Sequence, residues 1–297
     1  MRRLLCLLAA VAAPCAAADV PRSLVVCLDG LRADAIGKTT PAIGRLVAGG
    51  WLPGYRAVLT TRAHPIDDAP TLSGPNHVAI LTGLTASRSG VHSNAPTELA
   101  RVDQPDYLEL LKQSDPKRVT IKLAAWNGEG LVPTGADESR VAPDEKIVAR
   151  AVSAVRSGRA DALFLFLDGP DAAGHEHGFE SDDYEAAVRD ADRAIGRLLD
   201  AIAARPRSED WQVIVTTDHG GVGHEHGGTS AEETLIPFLV ASRHTIATLL
   251  DESVRNVDVT PTVLAHFGID PTGWFEKRDG RTPYQLDGRA RVPVTPR

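Results

Sequence analysis

Three short apolar runs in this chain end at an aspartate, and that repetition limits the fold more than any other feature. Residues 23–28 run into Asp29-Gly30, residues 162–167 into Asp168-Gly169, and residues 211–216 lead to Asp218-His219. Each run is bounded by turn residues and is short enough to be a strand buried on both faces. Residues 119–125 and 236–241 read the same way. Between them lie helical stretches at 41–48, 76–84, 105–113, 143–157, 181–204 and 258–267. Thr40 is a candidate N-cap for the first, with Gly49-Gly50 as its stop, and Ser181 is a candidate N-cap for the long amphipathic one. Apolar strands alternating with helices predict an α/β fold, with a mostly parallel central sheet flanked by helices on both faces. Ligands in such sheets bind beyond the carboxyl ends of the strands, so the three aspartates should gather at one rim.

The chain's 297 residues suffice for one large α/β domain. Residues 95–145 carry Pro96, Pro105, Pro116, Pro133 and Pro143. They read as a small cap excursion within a single domain spanning 19–297. The first residues have the layout of a secretory signal: Arg2 and Arg3, an apolar stretch at 4–11, and small residues at 16–18. Its removal at residue 18 would place the protein in the periplasm or outside the cell. The apolar stretch is too short for an ordinary spanning helix, and no other segment is long and apolar enough, so no membrane span is expected. A buried N-terminal helix is the competing reading, and Pro14 before Cys15 fits lipoprotein processing poorly. After cleavage only Cys27 remains, which excludes an intrachain disulfide. Cys27 lies within an apolar run and reads as core. Loss of Arg2 and Arg3 moves the formal charge from −7 to −9. Such acidity disfavours binding to nucleic-acid polymers, which rests on neutralising phosphates. It suits carboxylates gathered around cations.

Four short segments carry the chemistry. Pro170-Asp171-Ala172-Ala173-Gly174-His175 follows a strand and reads as a Gly-containing turn in which Asp171 and His175 can ligate one cation. Imidazole with carboxylate favours a zinc-like ion over calcium or magnesium. Thr216-Thr217-Asp218-His219-Gly220-Gly221 follows another strand, and His224-Glu225-His226-Gly227-Gly228 comes soon after. Of ten histidines, five (His175, His177, His219, His224 and His226) fall in these segments, which speaks against scattered solvated loops. The fourth segment is Thr71-Leu72-Ser73-Gly74-Pro75-Asn76-His77, leading into a helix. A hydroxyl there sits in a positive potential beside N–H groups able to hold an anion, and a nearby metal would activate it as a nucleophile. By itself Ser73 is also a good helix cap.

Taken in order, Asp29-Gly30, Ser73-Gly74-Pro75-Asn76-His77, Pro170-Asp171 with Gly174-His175, Asp218-His219-Gly220 and His226-Gly227 resemble the alkaline phosphatase superfamily. Within it they are most similar to type I phosphodiesterases and nucleotide pyrophosphatases. The resemblance runs over residues 23–267 and implies an alkaline phosphatase-like fold with two zinc ions. Asp171, His175 and His226 would hold one zinc, and Asp29, Asp218 and His219 the other. It implies Ser73 as the nucleophile and a phosphate-binding asparagine 21 residues later, where Asn94 stands. His224 competes with His226 as a ligand. Asp168, His177 and His224 are expected as partners that orient the ligands. The family often has threonine in place of Ser73 and histidine in place of Ser89, and this chain is short for the nucleotide pyrophosphatase branch.

The implied reaction is hydrolysis of a small-molecule phosphoric ester through a phospho-serine. The alternatives are a phosphomonoesterase, a phosphonate hydrolase or a sulfatase, the last disfavoured by His77 where sulfatases usually carry arginine. Further readings are a phosphomutase, which export disfavours, and a non-catalytic metal-binding protein. Lys122 and Arg88 are candidate cations for a monoester, and Trp126 and Trp51 are candidate walls of a diester groove.

Overall fold

A computed structural model describes residues 19–37, 39–49, 51–243 and 253–292. The signal read at 1–18 lies outside the described residues. The strands are β1 (Val20–Leu28), β2 (Arg56–Ala63), β3 (Thr120–Ala124), β4 (Glu138–Val141), β5 (Ala162–Leu167), β6 (Glu209–Thr216) and β7 (Ile236–Ser242), with a small hairpin of β8 (Phe275–Glu276) and β9 (Pro283–Tyr284). The helices are α1 (Pro41–Val47), α2 (Ser73–Thr82), α3 (Ala86–Ser89), α4 (Pro96–Leu99), α5 (Tyr107–Ser114), α6 (Asp144–Ser157), α7 (Gly169–His177), α8 (Asp182–Ala203), α9 (Ala231–Thr234) and α10 (Val259–His266). Among the described residues no helix is long and apolar enough to cross a membrane.

The main sheet has the order β2-β7-β6-β1-β5-β3-β4. β1 pairs in parallel with β5 and β6, and β5 and β4 both pair in parallel with β3. Only β7 runs against its neighbours. Alternation along β1 separates two cores. Leu24, Val26 and Leu28 pack beneath α1, α6 and α8 with Ile43, Ile147, Val155, Ile195 and Leu199. Val25 and Cys27 pack beneath α2, α5 and α10 with Val78, Leu108, Leu111 and Val263. A strand buried on both faces must be apolar at every position, which is why the central strands are legible as continuous runs.

The edges differ from the sequence reading. β2 keeps most of its residues half-buried or exposed, and β4 is largely exposed. Edge strands lack the continuous apolar signature, so neither is visible in the sequence pattern. Residues 95–145, expected as an excursion, supply β3 and β4 to the sheet itself. Asp171 and His175 lie on a helix rather than in a turn. Gly174 lets that helix pack on Phe179, since a Cβ there would meet the ring at 2.6 Å. Helix α2 starts at Ser73, earlier than expected, and Leu72 with extended backbone takes the capping position.

Ser181 caps α8 by accepting from Tyr184 N, as expected. Thr40 occupies the N-cap of α1 without a side-chain bond. The capping acceptor comes instead from α8: Asp192 accepts from Ala42 N at 2.8 Å and Ile43 N at 3.0 Å. Asp192→Ala would strand two buried donors. It is expected to lower stability by about 2–4 kcal/mol, measured by urea unfolding, with metal content unchanged because Asp192 bonds the amides of α1 and belongs to none of the clusters at the rim.

Candidate metal centre and active site

The strand order explains the acidic rim. β6, β1 and β5 are neighbours, so their carboxyl ends deliver Asp218, Asp29 and Asp168 side by side. Gly30 makes the next turn with φ +66°, and a Cβ there would lie 2.8 Å from Asp171 Oδ1. Only glycine allows α7 to come this close. Gly30 N donates to Asp218 Oδ1 at 3.3 Å, and Leu31 N donates to Thr217 Oγ1 at 3.1 Å. Tyr184 from α8 donates to Gly30 O at 2.9 Å and accepts from Arg32 N at 2.9 Å. The loops after β1 and β6 are thereby held together from below.

One cluster centres on His219. Its Nδ1–H donates to Gly220 O at 2.8 Å, so in the neutral ring Nε2 carries the lone pair. That nitrogen lies 3.1 Å from Asp218 Oδ2, 3.2 Å from Ser73 Oγ and 3.4 Å from Asp29 Oδ1. Four atoms each about 2.0–2.1 Å from one tetrahedral zinc would be about 3.3–3.4 Å apart. Asp29 Oδ1 and Asp218 Oδ2 are buried with no hydrogen-bond donor. The donor set therefore fits a zinc-like cation in both chemistry and spacing.

A second cluster lies beside it. Asp171, His219 and His226 present ligand atoms within 4.8 Å of one another. His226 Nδ1–H donates to Thr71 O at 2.7 Å, and its Nε2 lies 3.9 Å from Asp171 Oδ1. The His219 and His226 rings stack with centroids 3.7 Å apart. His175 Nε2 lies 3.3 Å from Asp171 Oδ2, with its ring centroid 5.0 Å from that of His226. His175 is the more exposed of these residues. Its Nδ1–H donates to the carbonyl of His224 at 2.7 Å. His224 thus reaches the site through its backbone, while its exposed ring donates from Nδ1 to His175 O at 3.1 Å. The structure brings His226, and not the His224 ring, to Asp171.

Asp168 joins Asp29 and Asp171 in a cluster of three carboxylates. His177 does not join the site. It lies two residues past His175 on α7, which puts it on the other side of the helix, 3.7 Å from Glu176 and 4.0 Å from Asp183.

Ser73 is buried at the first position of α2. The next backbone amide, Gly74 N, donates to Asn94 Oδ1 at 2.7 Å, which leaves the Asn94 amino group to donate elsewhere. A Cβ on residue 74 would lie 2.7 Å from Ser93 O, so glycine permits this approach. Asn76 is structural: its Oδ1 accepts from Ile66 N at 2.9 Å and Asn256 Nδ2 at 3.2 Å. Asn256 Nδ2 also reaches Asp218 O at 3.0 Å. Lys122 is buried against Glu129, and Arg88 pairs with Asp287, so both cations suggested for a monoester are already engaged. Trp51 packs on Tyr55 and Trp126 on His77.

The electrostatics show a site short of positive charge. Burial, then Asp218 and Asp171, hold the Asp29 carboxyl well above its ordinary range. Burial also raises Asp171 against the pull of His219 and His226. Burial and Asp171 push Asp168 up to about 6. Asp218 goes the other way: burial raises it, but His219 and His77 outweigh burial and hold it well below the usual value. Burial lowers His219, but Asp218, Asp171 and the bond to Gly220 O together raise it above its ordinary value, whereas burial and His219 lower His226. Thr71, Tyr184, Asp144 and Glu129 support the site without any sequence signal. Asp144, for example, accepts from Asp168 N at 3.1 Å and Gly169 N at 3.0 Å from 24 positions before the first.

Comparison with known proteins bears on this geometry. A profile of the family "Type I phosphodiesterase / nucleotide pyrophosphatase" matches residues 23–134 and 96–232. A mouse ectonucleotide pyrophosphatase/phosphodiesterase, family member 3, is 25% identical over 233 residues, covering 68% of this chain and 25% of that protein. A 2,3-bisphosphoglycerate-independent phosphoglycerate mutase of Vibrio cholerae is 30% identical over 133 residues, covering 42% of this chain and 24% of the mutase. This chain thus aligns with about a quarter of the length of each curated relative. Among solved structures, murine ectonucleotide pyrophosphatase/phosphodiesterase 5, in an inactive form with AMP, superposes with TM-score 0.63 at 15% identity. It covers 84% of this chain and 95% of that one. The fold is alkaline phosphatase-like.

A cation at the rim competes with protons for raised carboxylates. Protons stay on Asp29 and Asp171 over more of the acid range than on ordinary carboxylates, so metal affinity should be higher at neutral pH than in mild acid. It should fall as pH drops through the raised values, before ordinary carboxylates titrate. Calorimetric zinc titrations at stepwise lower pH check this; affinity unchanged down to about pH 4 would contradict it.

Proposed function

The chain belongs to the type I phosphodiesterase/nucleotide pyrophosphatase family, and from that premise we propose that it is a zinc-dependent phosphodiesterase or pyrophosphatase, exported to the periplasm or beyond. Its substrate is a small-molecule phosphoric ester. The supporting observation is the place of Ser73 Oγ. It is one of the atoms packed around His219 Nε2, at 3.2 Å, and it stands at the start of a helix. The same hydroxyl therefore faces both a cation position and an anion-binding helix end.

Asp29, Asp218 and His219 would hold one zinc beside Ser73, and Asp171, His175 and His226 the other. Zinc there supplies a lowered hydroxyl pKa and positive charge for the transition state. Ser73 loses its proton to water, Oγ attacks phosphorus in line with the leaving alkoxide, and the bond to that alkoxide breaks as it takes a proton from water, forming a phospho-serine. The Asn94 amino group and the backbone amide of Ser73, the first of α2, would bind the non-bridging oxygens, since Gly74 N is held by Asn94 and Pro75 has no N–H. Water attacks the phospho-serine from the side the alkoxide has left, and Ser73 regains its proton. A diester suits this site better than a monoester, which carries more negative charge. Lys122 spends its ammonium on Glu129, and Arg88 spends its guanidinium on Asp287.

Hydrolysis of matched p-nitrophenyl mono- and diesters tests the reading. The diester is expected to be preferred, with activity lost on chelation and restored by zinc. A monoester preference would move the protein to the phosphatase branch, and zinc-bound protein inert on both would sink the proposal. Ser73→Ala should lower kcat by about 10³-fold or more at unchanged metal content, so an active variant would remove Ser73 from its role. His226→Ala should lower zinc occupancy as read by metal analysis, whereas full occupancy would return the vote to His224.

A further inference from the structure

A lysine lies wholly inside this protein, and its partners lead to the candidate metal site. Lys122 on β3 is 1% exposed. Its ammonium donates to Glu129 O at 3.0 Å and Val132 O at 3.0 Å and pairs with Glu129 Oε1 at 2.9 Å. Glu129, fully buried, turns its other oxygen, Oε2, to His77 Nδ1 at 3.0 Å. A carboxylate so placed only accepts, so Nδ1 carries the hydrogen. The ring is wedged edge-on between Phe166, with centroids 4.3 Å apart, and Trp126, at 5.6 Å. Its other nitrogen, Nε2, ends 3.2 Å from Asp218 Oδ2, the oxygen that also faces His219 Nε2 at 3.1 Å.

We propose that Lys122, Glu129 and His77 form a buried positioning chain that fixes the Asp218 carboxylate for cation binding. The inference rests on the reading above that Asp29, Asp218 and His219 hold a cation. Burying an ion pair rarely stabilises a fold better than an apolar pair of similar size, so packing alone gives no reason for charges here. What distinguishes the pair is where it leads. Burial pushes the Glu129 carboxyl up, but Lys122 and His77 together outweigh it and hold Glu129 as a carboxylate. Glu129 then locks the rotation of the His77 ring, and the ring sets Asp218 Oδ2. His77 is also four residues past Ser73 on α2, one turn along the same face. The chain therefore ties the candidate nucleophile's helix to a candidate ligand. Ligand-orienting partners of this kind commonly govern metal affinity by 10–100-fold.

Cys27 Sγ also lies within 4.8 Å of His77 and Asp218, which would suit a separate metal site. Cys27 belongs to the apolar core with Val78 and Phe166, and His77 Nδ1 is committed to Glu129. The cluster reads as a positioning chain flanked by a core thiol.

The test is cobalt(II) titration of the metal-stripped full chain, followed by visible absorbance and by competition with a chelator. His77→Leu is expected to weaken cobalt binding by about 10–100-fold and to alter the cobalt spectrum. The double variant Lys122→Met/Glu129→Gln removes both charges together, leaves no unpaired ion, and should do the same. It carries the test if His77→Leu does not fold. Combining all three substitutions should cost nothing beyond His77→Leu, because the chain acts through that ring. Unchanged cobalt affinity and spectrum in the folded double variant, or additive losses in the triple variant, would overturn the inference. A thiolate-to-cobalt band in the near ultraviolet would do so as well, by making Cys27 a ligand. Asp218→Asn is the control for the site itself: cobalt binding that survives it would show that the metal site was misread, a failure distinct from that of the chain.

Discussion

Negative charge crowded at the ends of three adjacent parallel strands is the constraint around which the site is organised. Asp218, Asp29 and Asp168 meet there because β6, β1 and β5 are neighbours, and α7 adds Asp171. Like charges at such distances raise one another's pKa and disfavour the compact state unless something positive intervenes. His219 supplies part of that compensation, and its effect is visible in the lowering of Asp218 while Asp29 stays raised. Buried oxygens without donors on Asp29, Asp171 and Asp218 mark what remains. A divalent cation at those oxygens and His219 Nε2 would resolve the conflict, and the hydrogen bonds at the histidines' other nitrogens suit it. His219, His226 and His175 each direct Nδ1 to a backbone carbonyl. In its neutral form each ring therefore turns an Nε2 lone pair toward the carboxylates.

The rest of the fold holds that arrangement in place. Tyr184 bonds both sides of the turn at Gly30, and Asp144 bonds the first amides after β5. Thr71 orients His226 through its carbonyl and holds Gly227 N through its hydroxyl at 2.9 Å. These contacts come from α8, α6 and the segment before α2, so both helical layers brace the rim. Preorganisation of this kind keeps ligand atoms near their working distances before a cation arrives.

What could be read in the sequence divides along physical lines. Central strands were legible because burial on both faces forces continuous apolar runs, and their terminal aspartates could be placed at one rim from topology alone. The edge strands β2 and β4 were not, since half-exposed strands carry no such run. The Asp171–His175 pair was found by composition and spacing, but its helix was not. Pro170 and Gly174 look like turn residues until Phe179 is seen filling the space that a side chain at 174 would need. His177 was drawn toward the site by mere proximity in sequence, and the helical period turns it away. Lys122 was noticed only as a spare cation. Its partner Glu129, seven residues on, belongs to no periodic pattern, because a hydrogen-bonded pair between a strand and a short helix leaves no mark on a linear sequence.

Helix α2 shows why its short motif is spaced as it is. Ser73, at the helix start, faces His219; Gly74 leaves room for Asn94; Asn76 bonds Ile66 and Leu72. His77, one turn beyond Ser73, meets Asp218 and Glu129. Every side chain in that turn has a different partner, so no residue can shift without misaligning another. Leu72 and Pro75 add no polar contact, but they set where the helix begins: extended backbone at 72 ends the preceding segment, and proline fits a first turn whose N–H groups have no helical partners. The proposed nucleophile, the glycine that admits Asn94 and the proposed ligand support are thus placed by one rigid turn, whose register is fixed from Asn94 at one end and Glu129 at the other.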